Sequence, residues 1–433
     1  MTLTPLPTQV QDAAFLVKQG RAALFSEPGT GKTITALEAW NQVGGRLVVV
    51  APPIALRMWK ANIDSYCDKR AQILTTGKDQ IDWDADAIIV SYQLIGKFQA
   101  ALRGHAKAIV LDESDALKSL NSQRTTYVYG KRACGAGCLI EGCEYVWPLT
   151  GSPIRRYADD IYPHLRALHP DLLWKHAGVR TYDQFINKFC FTQLRRFHAR
   201  QRATVTVAGN KNEKALHALI YDNGLAVRRT IHDVAAEMPP LTFRDVYIQY
   251  DDSDELREAT GDALGAGEQE PVMATARRLL GLAKSEWAAQ YCIDVWERIS
   301  CPLLVFYWHR EAGDSMQWQF EGADMKVGRI DGSTPSHVRA DLEAKFNAGE
   351  IDVLLGQIAS MGVAINLQQG SHYGVFAERD WSPAASDQAL RRLWRLGQNT
   401  HVQIDICHAE HPLDEAVSMV QDRKDTSTKR IVG

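Results

Sequence analysis

Eight residues carry the clearest chemistry in this chain: Ser26-Glu27-Pro28-Gly29-Thr30-Gly31-Lys32-Thr33. Gly29 and Gly31 free the backbone to curl amide N–H groups around phosphate oxygens, with Pro28 and Thr30 as the loop's other members. Lys32 supplies a compact positive charge for β- and γ-phosphates, and Thr33 a hydroxyl for Mg²⁺. Glycine usually opens such a loop and Ser26 stands in its place, which removes no phosphate contact. Further on, AIVLDES places Asp112 and Glu113 directly after an apolar run. Asp112 is suited to hold Mg²⁺, and Glu113 to polarise an attacking water. An acidic pair at a strand end can also be a plain helix cap. Together with the glycine-rich loop upstream, it reads as the catalytic half of a nucleoside-triphosphate site.

Such groups must be held by a scaffold. AALF before the loop reads as a strand and ITALEAW after it as a helix, the context a phosphate loop requires. RLVVVAPP, DAIIVSYQ, KAIVLDES and YVWPLTGSP repeat the strand-then-loop unit. A second series begins near Cys301, with CPLLVFYWHR, KVGRIDG, DVLLGQ, YGVFAERD and HVQIDICHA. This alternation predicts an α/β fold of two parallel-sheet lobes with helical insertions between them. The expected division is an N-terminal ATP-binding lobe over 1–237 with a helical protrusion over about 155–237. A connecting segment over 238–275 and a C-terminal lobe over 276–433 complete it.

Composition bounds the alternatives. With 433 residues, 45% hydrophobic and 23% charged, the chain can bury real cores, which excludes a disordered or disulfide-stapled protein. The 49 Lys+Arg nearly balance the 52 Asp+Glu, so any nucleic-acid surface must be local. One basic stretch exists. Lys188, Arg195, Arg196, Arg200, Arg202, Lys211 and Lys214 face a single acid, Glu213, and could grip a polyanion or form a solvated surface. No apolar run reaches the ~18–20 residues of a membrane span. MTLTPLPTQV has no export-signal pattern, so a reducing cytoplasm is expected. Cys134, Cys138 and Cys143 crowd a glycine-rich stretch, but only one pair has zinc-like spacing, so reduced thiols are favoured over a zinc site.

The order of motifs resembles the superfamily-two helicases, and the second lobe resembles their Swi/Snf-type translocases. The acidic box continues as Ser114-Asp115, with Asp115 where the related box has His. VVVAPPIALRMWK, IIVSYQLI and LTGSPI follow the family's sequence of segments. AINL, GVFAERD, DWSP and QALRRLWRLGQ match its second-lobe block, although Arg391-Arg392 stands where the usual pair is Asp-Arg, and Trp394 where it has His. The resemblance implies two RecA-like lobes and a DNA-stimulated ATPase that moves along double-stranded DNA as a monomer. It implies that Gln9 reads adenine and that Gly362 and Gln388 join the nucleotide contacts. Arg395 would be an arginine finger, with Arg392 beside it. Ser91, Tyr92, Thr150, Ser360 and Asn366 would face the nucleic acid, with Arg195, Arg196, Arg200 and Arg202 as the basic grip. ATP and Mg²⁺ are the expected cofactors. A strand-separating DNA or RNA helicase and a scaffold with a decayed ATPase remain as alternatives. The compactness of the chain suggests a bacterial cell or a virus-infected host.

Overall fold

In a computed structural model, the described residues are 4–195, 204–234, 238–263, 271–299, 301–361, 365–380, 383–395 and 397–432. The chain divides into two compact units, Met1–Ala236 with Thr426–Gly433, and Glu237–Asp425.

The first unit contains β1 (Ala23–Leu24), β2 (Leu47–Ala51), β3 (Ala71–Leu74), β4 (Ala87–Ser91), β5 (Ala108–Leu111), β6 (Tyr145–Pro148), β7 (Cys190–Arg195), β8 (Thr204–Asn210) and β9 (Ala226–Val227). Five of them form a parallel sheet in the order β3-β4-β2-β5-β6. Bridges Arg21↔Val146 and Leu24↔Leu149 add β1 beside β6, and β9 pairs with β1 on the far side. The central strands are uninterrupted runs of Val, Ile, Leu and Ala because both faces of a parallel sheet are covered. Alternate side chains enter different cores. Val48, Val50, Ile88, Val90, Ile109 and Leu111 join one cluster, while Leu47, Val49, Ile89 and Val110 join another with Trp40, Trp59 and Trp147. A third cluster unites Phe185, Phe189 and Ile220 from the helical stretch with Ile431 and Val432 of the final helix. β7 and β8 stand apart as a two-stranded antiparallel ribbon.

The second unit is built on β10 (Leu241–Ile248), β11 (Leu303–Tyr307), β12 (Val327–Ile330), β13 (Val353–Gln357), β14 (Tyr373–Phe376) and β15 (Val402–Ala409). All six run parallel in the order β10-β15-β14-β11-β13-β12. Residues 241–248, read from the sequence within a connecting segment, instead form an edge strand registered with β15 along its full length. Their side chains are largely exposed, so no apolar run marks them. The two sheets give the α/β, RecA-like, two-lobe architecture that the sequence implies. Among the described residues, no helix is long and apolar enough to cross a membrane.

Candidate active site

Ligands of open parallel sheets bind beyond the carboxyl ends of the strands, and the first unit gathers its polar residues there. The loop after β1 runs into helix α2 (Lys32–Val43), whose free N–H groups and dipole favour anions. Gly29 and Gly31 both take φ of 85°, a left-handed value that disfavours any side chain. A Cβ on Gly31 would also stand 2.0 Å from Gln9 Nε2. Lys32 Nζ donates to the carbonyls of Ser26 (2.8 Å) and Glu27 (3.0 Å), so its ammonium lies folded over the loop. Thr33 is half-buried in the first turn of α2.

Gln9 sits in the first turn of helix α1 (Pro7–Gln19). Its Oε1 accepts the Leu6 backbone N–H at 2.8 Å, and its Nε2 points to the Thr30 carbonyl at 3.5 Å. The helix start therefore fixes the amide against the phosphate loop. Sequence reasoning missed a second tie. Arg229 donates from Nε and Nη2 to the buried Asp12 on α1, and its backbone N–H donates to Ser26 Oγ. The pair spans most of the first unit's sequence. Its only sequence signal is the double arginine in AVRRT.

Asp112 and Glu113 follow β5. The Trp59 indole donates to Asp112 Oδ2 at 2.8 Å, the Glu113 N–H donates to Oδ1, and Tyr92 Oη donates to the Asp112 carbonyl. Burial, reinforced by the neighbouring Glu113 charge, pushes the Asp112 carboxyl up to about 6. Glu113 adopts φ 45°, which is costly for a side chain of this size. Its Oε2 is buried and has no hydrogen-bond partner among the described residues. A buried carboxylate beside a second one whose buried oxygen lacks a donor suits a cation, so Asp112 and Thr33 fit the Mg²⁺ that accompanies a triphosphate.

The next turn is locked from behind. Asp115 accepts Thr150 Oγ1 at 3.3 Å and forms an ion pair with Arg155 Nε at 2.6 Å. A Cβ on Gly151 would stand 2.7 Å from Pro28 Cδ, so the Thr150 loop also packs on the phosphate loop. Three residues expected to face nucleic acid are thus internal. Ser91, Tyr92 and Thr150 are 3%, 7% and 0% exposed, and their hydroxyls bond within the unit.

In the second unit, Arg395 donates to Asn366 Oδ1. Glu343 accepts the Asn366 N–H at 3.1 Å and attracts Arg395, while burial works against the guanidinium charge. Arg392 is buried, with Nε on the Gln388 carbonyl at 3.2 Å. Gln388 Nε2 is buried without a hydrogen-bond partner among the described residues. Ser360 Oγ donates to Gln357 Oε1 at 3.2 Å. Gly362, Arg196, Arg200 and Arg202 lie outside the described residues, as does the side chain of Arg195.

Cys138 and Cys143 are buried in the first apolar cluster, where burial pushes both thiols up to about 11, and Cys134 is exposed. Among the described residues no three His, Cys, Asp or Glu side chains cluster to hold a metal, so the structure gives a zinc site no support.

The chain resembles known proteins over nearly all its length. A protein from Xenopus laevis, "SWI/SNF-related matrix-associated actin-dependent regulator of chromatin subfamily A-like protein 1", is 25% identical over 96% of this chain and 43% of its own length. The human "DNA annealing helicase and endonuclease ZRANB3" is 24% identical over 97% of this chain and 39% of its own. The Bacillus subtilis "Uncharacterized ATP-dependent helicase YqhH" is 22% identical over the whole chain and 80% of its own length. The chain thus spans less than half the length of the first two relatives. A solved structure, "Sulfolobus solfataricus SWI2/SNF2 ATPase core in complex with dsDNA", aligns over 100% of this chain and 94% of its own at 17% identity and a TM-score of 0.46. The SNF2-related domain family matches residues 9–256 and the helicase conserved C-terminal domain residues 286–397. Matched over more than half its length, the chain belongs to the SNF2-related family, helicase-like proteins that generally hydrolyse ATP.

Proposed function

We propose that this protein is a DNA-stimulated ATPase that converts hydrolysis into movement along double-stranded DNA. The observation that carries the reading is the turn after β5. There Asp112 is buried beside a half-buried Glu113, whose buried Oε2 lacks a donor, and Lys32 attracts the Asp112 carboxylate. A decayed scaffold has no reason to maintain that unfavourable arrangement.

In this reading Gln9 takes the adenine, and the backbone N–H groups of Gly29 to Thr33 with Lys32 take the phosphates, Pro28 shaping the loop. Glu113 orients the attacking water, and Asp112 and Thr33 hold the metal. Bound Mg²⁺ would neutralise charge developing between the β- and γ-phosphates. Arg395, with Arg392 beside it, counters charge on the same triphosphate, a contribution worth ~10³–10⁵ in rate for arginine fingers. Gly362 and Gln388 complete the nucleotide contacts. Ser360, Asn366 and the basic stretch from Arg195 to Arg202 grip the sugar-phosphate backbone without reading sequence. Buried Tyr92 and Thr150 act by holding the Asp112–Asp115 turn, through the Asp112 carbonyl and the Asp115 carboxylate. Relatives named as chromatin regulators and as a DNA annealing helicase support DNA over RNA.

The test is ATP hydrolysis with no polymer, with duplex DNA, with single-stranded DNA and with RNA. Selective stimulation by duplex is the expected outcome. Stimulation by single strands or RNA alone makes the protein a strand-separating helicase, and turnover with none of them leaves a scaffold.

A further inference from the structure

The ribbon of β7 and β8 is the part of the first unit least explained by packing. Two-stranded ribbons are marginal in water, and large apolar side chains in the open make them worse. Here Phe191 is 58%, Leu194 72% and Val205 52% exposed. Leu194 and Val205 are cross-strand partners and form one apolar step. Phe191 stands opposite Gly209, and a Cβ there would lie 3.4 Å from the Phe191 ring. The ring therefore rests on bare backbone with much of its surface in solvent. Lys211 Nζ is 5.8 Å from the ring centroid.

The same stretch carries the basic excess, Lys188, Arg195, Arg196, Arg200, Arg202, Lys211 and Lys214 against Glu213 alone. A fitting partner must be anionic and must also present flat apolar faces. A continuous duplex offers phosphates but buries its base faces by stacking. Those faces are open only at ends, forks and single-stranded flanks.

We propose that this ribbon recognises unstacked bases beside a duplex, with Phe191 as the stacking platform on one face and the Leu194–Val205 step, which strand alternation places on the other face, against a base there. The inference rests on the nucleic-acid reading above and deepens it, because it makes a forked or flanked duplex the preferred substrate over an uninterrupted one.

The experiment measures equilibrium binding of labelled blunt duplex and of forked duplex carrying the same paired segment. It compares the wild-type chain, F191A, L194S/V205T and F191W. All the changed side chains are exposed, so folding is not at stake, and ATP hydrolysis without DNA stays at the wild-type level. Stacking contacts of this kind are worth about 5- to 150-fold per base. F191A and L194S/V205T each weaken forked-DNA binding by about tenfold or more and leave blunt-duplex binding unchanged, while F191W retains it. Equal binding of both DNAs by all four proteins overturns the proposal, as does an equal loss on both. Anionic phosphatidylserine vesicles are the control for the other partner that is both charged and apolar. Vesicle binding lost in the same variants, with fork binding intact, also overturns it. If the wild-type chain binds and is stimulated by no nucleic acid, the functional reading fails first, and that result is distinct from a ribbon that merely shows no fork preference.

Discussion

Replacing Arg155 with Met isolates the ion pair behind the acidic turn. The Asp115 side chain is 7% exposed and its partner Arg155 33%. Burial pushes the Asp115 carboxyl up to about 6, and Arg155 is the main charge opposing that rise. Removing one partner of a fully buried pair costs about 3–5 kcal/mol. Because Arg155 is one-third exposed, the cost here is discounted to about 2–3 kcal/mol. For a unit of this size that corresponds to a melting transition lowered by about 5–10 °C at pH 7.5. The dependence on pH has a definite sign. Asp115 titrates higher in the folded protein than its ordinary 3.8, so the fold favours its neutral form. Stability is lost as pH rises above 3.8, and R155M raises the folded value further and deepens that loss. The gap between variant and wild type therefore opens as pH rises past about 6 and closes by pH 5, where the carboxyl is protonated in both. On a D115N background, which leaves an acceptor for Thr150, R155M has little effect. Thermal unfolding of the four proteins at the two pH values tests this. An undiminished gap at pH 5, or the same loss on the D115N background, refutes the reasoning.

Gly31→Ala places a methyl group against Gln9 Nε2 at a left-handed φ, and equilibrium titration should show nucleotide affinity reduced by about tenfold or more. Glu113→Gln retains the buried shape but loses the base. Nucleotide binding survives while single-turnover hydrolysis falls by about 10²–10⁴. Changing Arg195, Arg196, Arg200 and Arg202 together to Gln flattens the slope of log affinity for duplex DNA against log salt by about 3–4. An unchanged slope removes the basic stretch from the DNA interface.

The legible parts of the fold were those written in contiguous residues. SEPGTGKT is eight adjacent positions with one physical purpose, and the buried strands of both sheets announce themselves as apolar runs such as Leu47–Ala51 and Leu303–Tyr307. Edge elements escaped. Ala226–Val227 is too short to show a period, half-buried Ala71–Leu74 has no strong pattern, and Leu241–Ile248 exposes most of its side chains. The long-range pairs were equally silent. Asp12 meets Arg229, and Asp115 meets Arg155, only because the chain folds back. Sequence position could suggest that Ser91, Tyr92 and Thr150 matter. It could not say that they are buried, because burial depends on what the other strands bring.

The proposed function requires Arg395 to act on the triphosphate that Lys32 holds. Single-turnover ATP hydrolysis at saturating duplex DNA, with nucleotide affinity measured alongside, tests this most directly in K32A, R395A, R395K and the double variant K32A/R395A. R395A and R395K are expected to bind ATP still but to lose about 10³-fold or more in turnover, since charge alone cannot replace guanidinium geometry. The double variant should be scarcely slower than K32A. Wild-type turnover in R395A would contradict the proposed function.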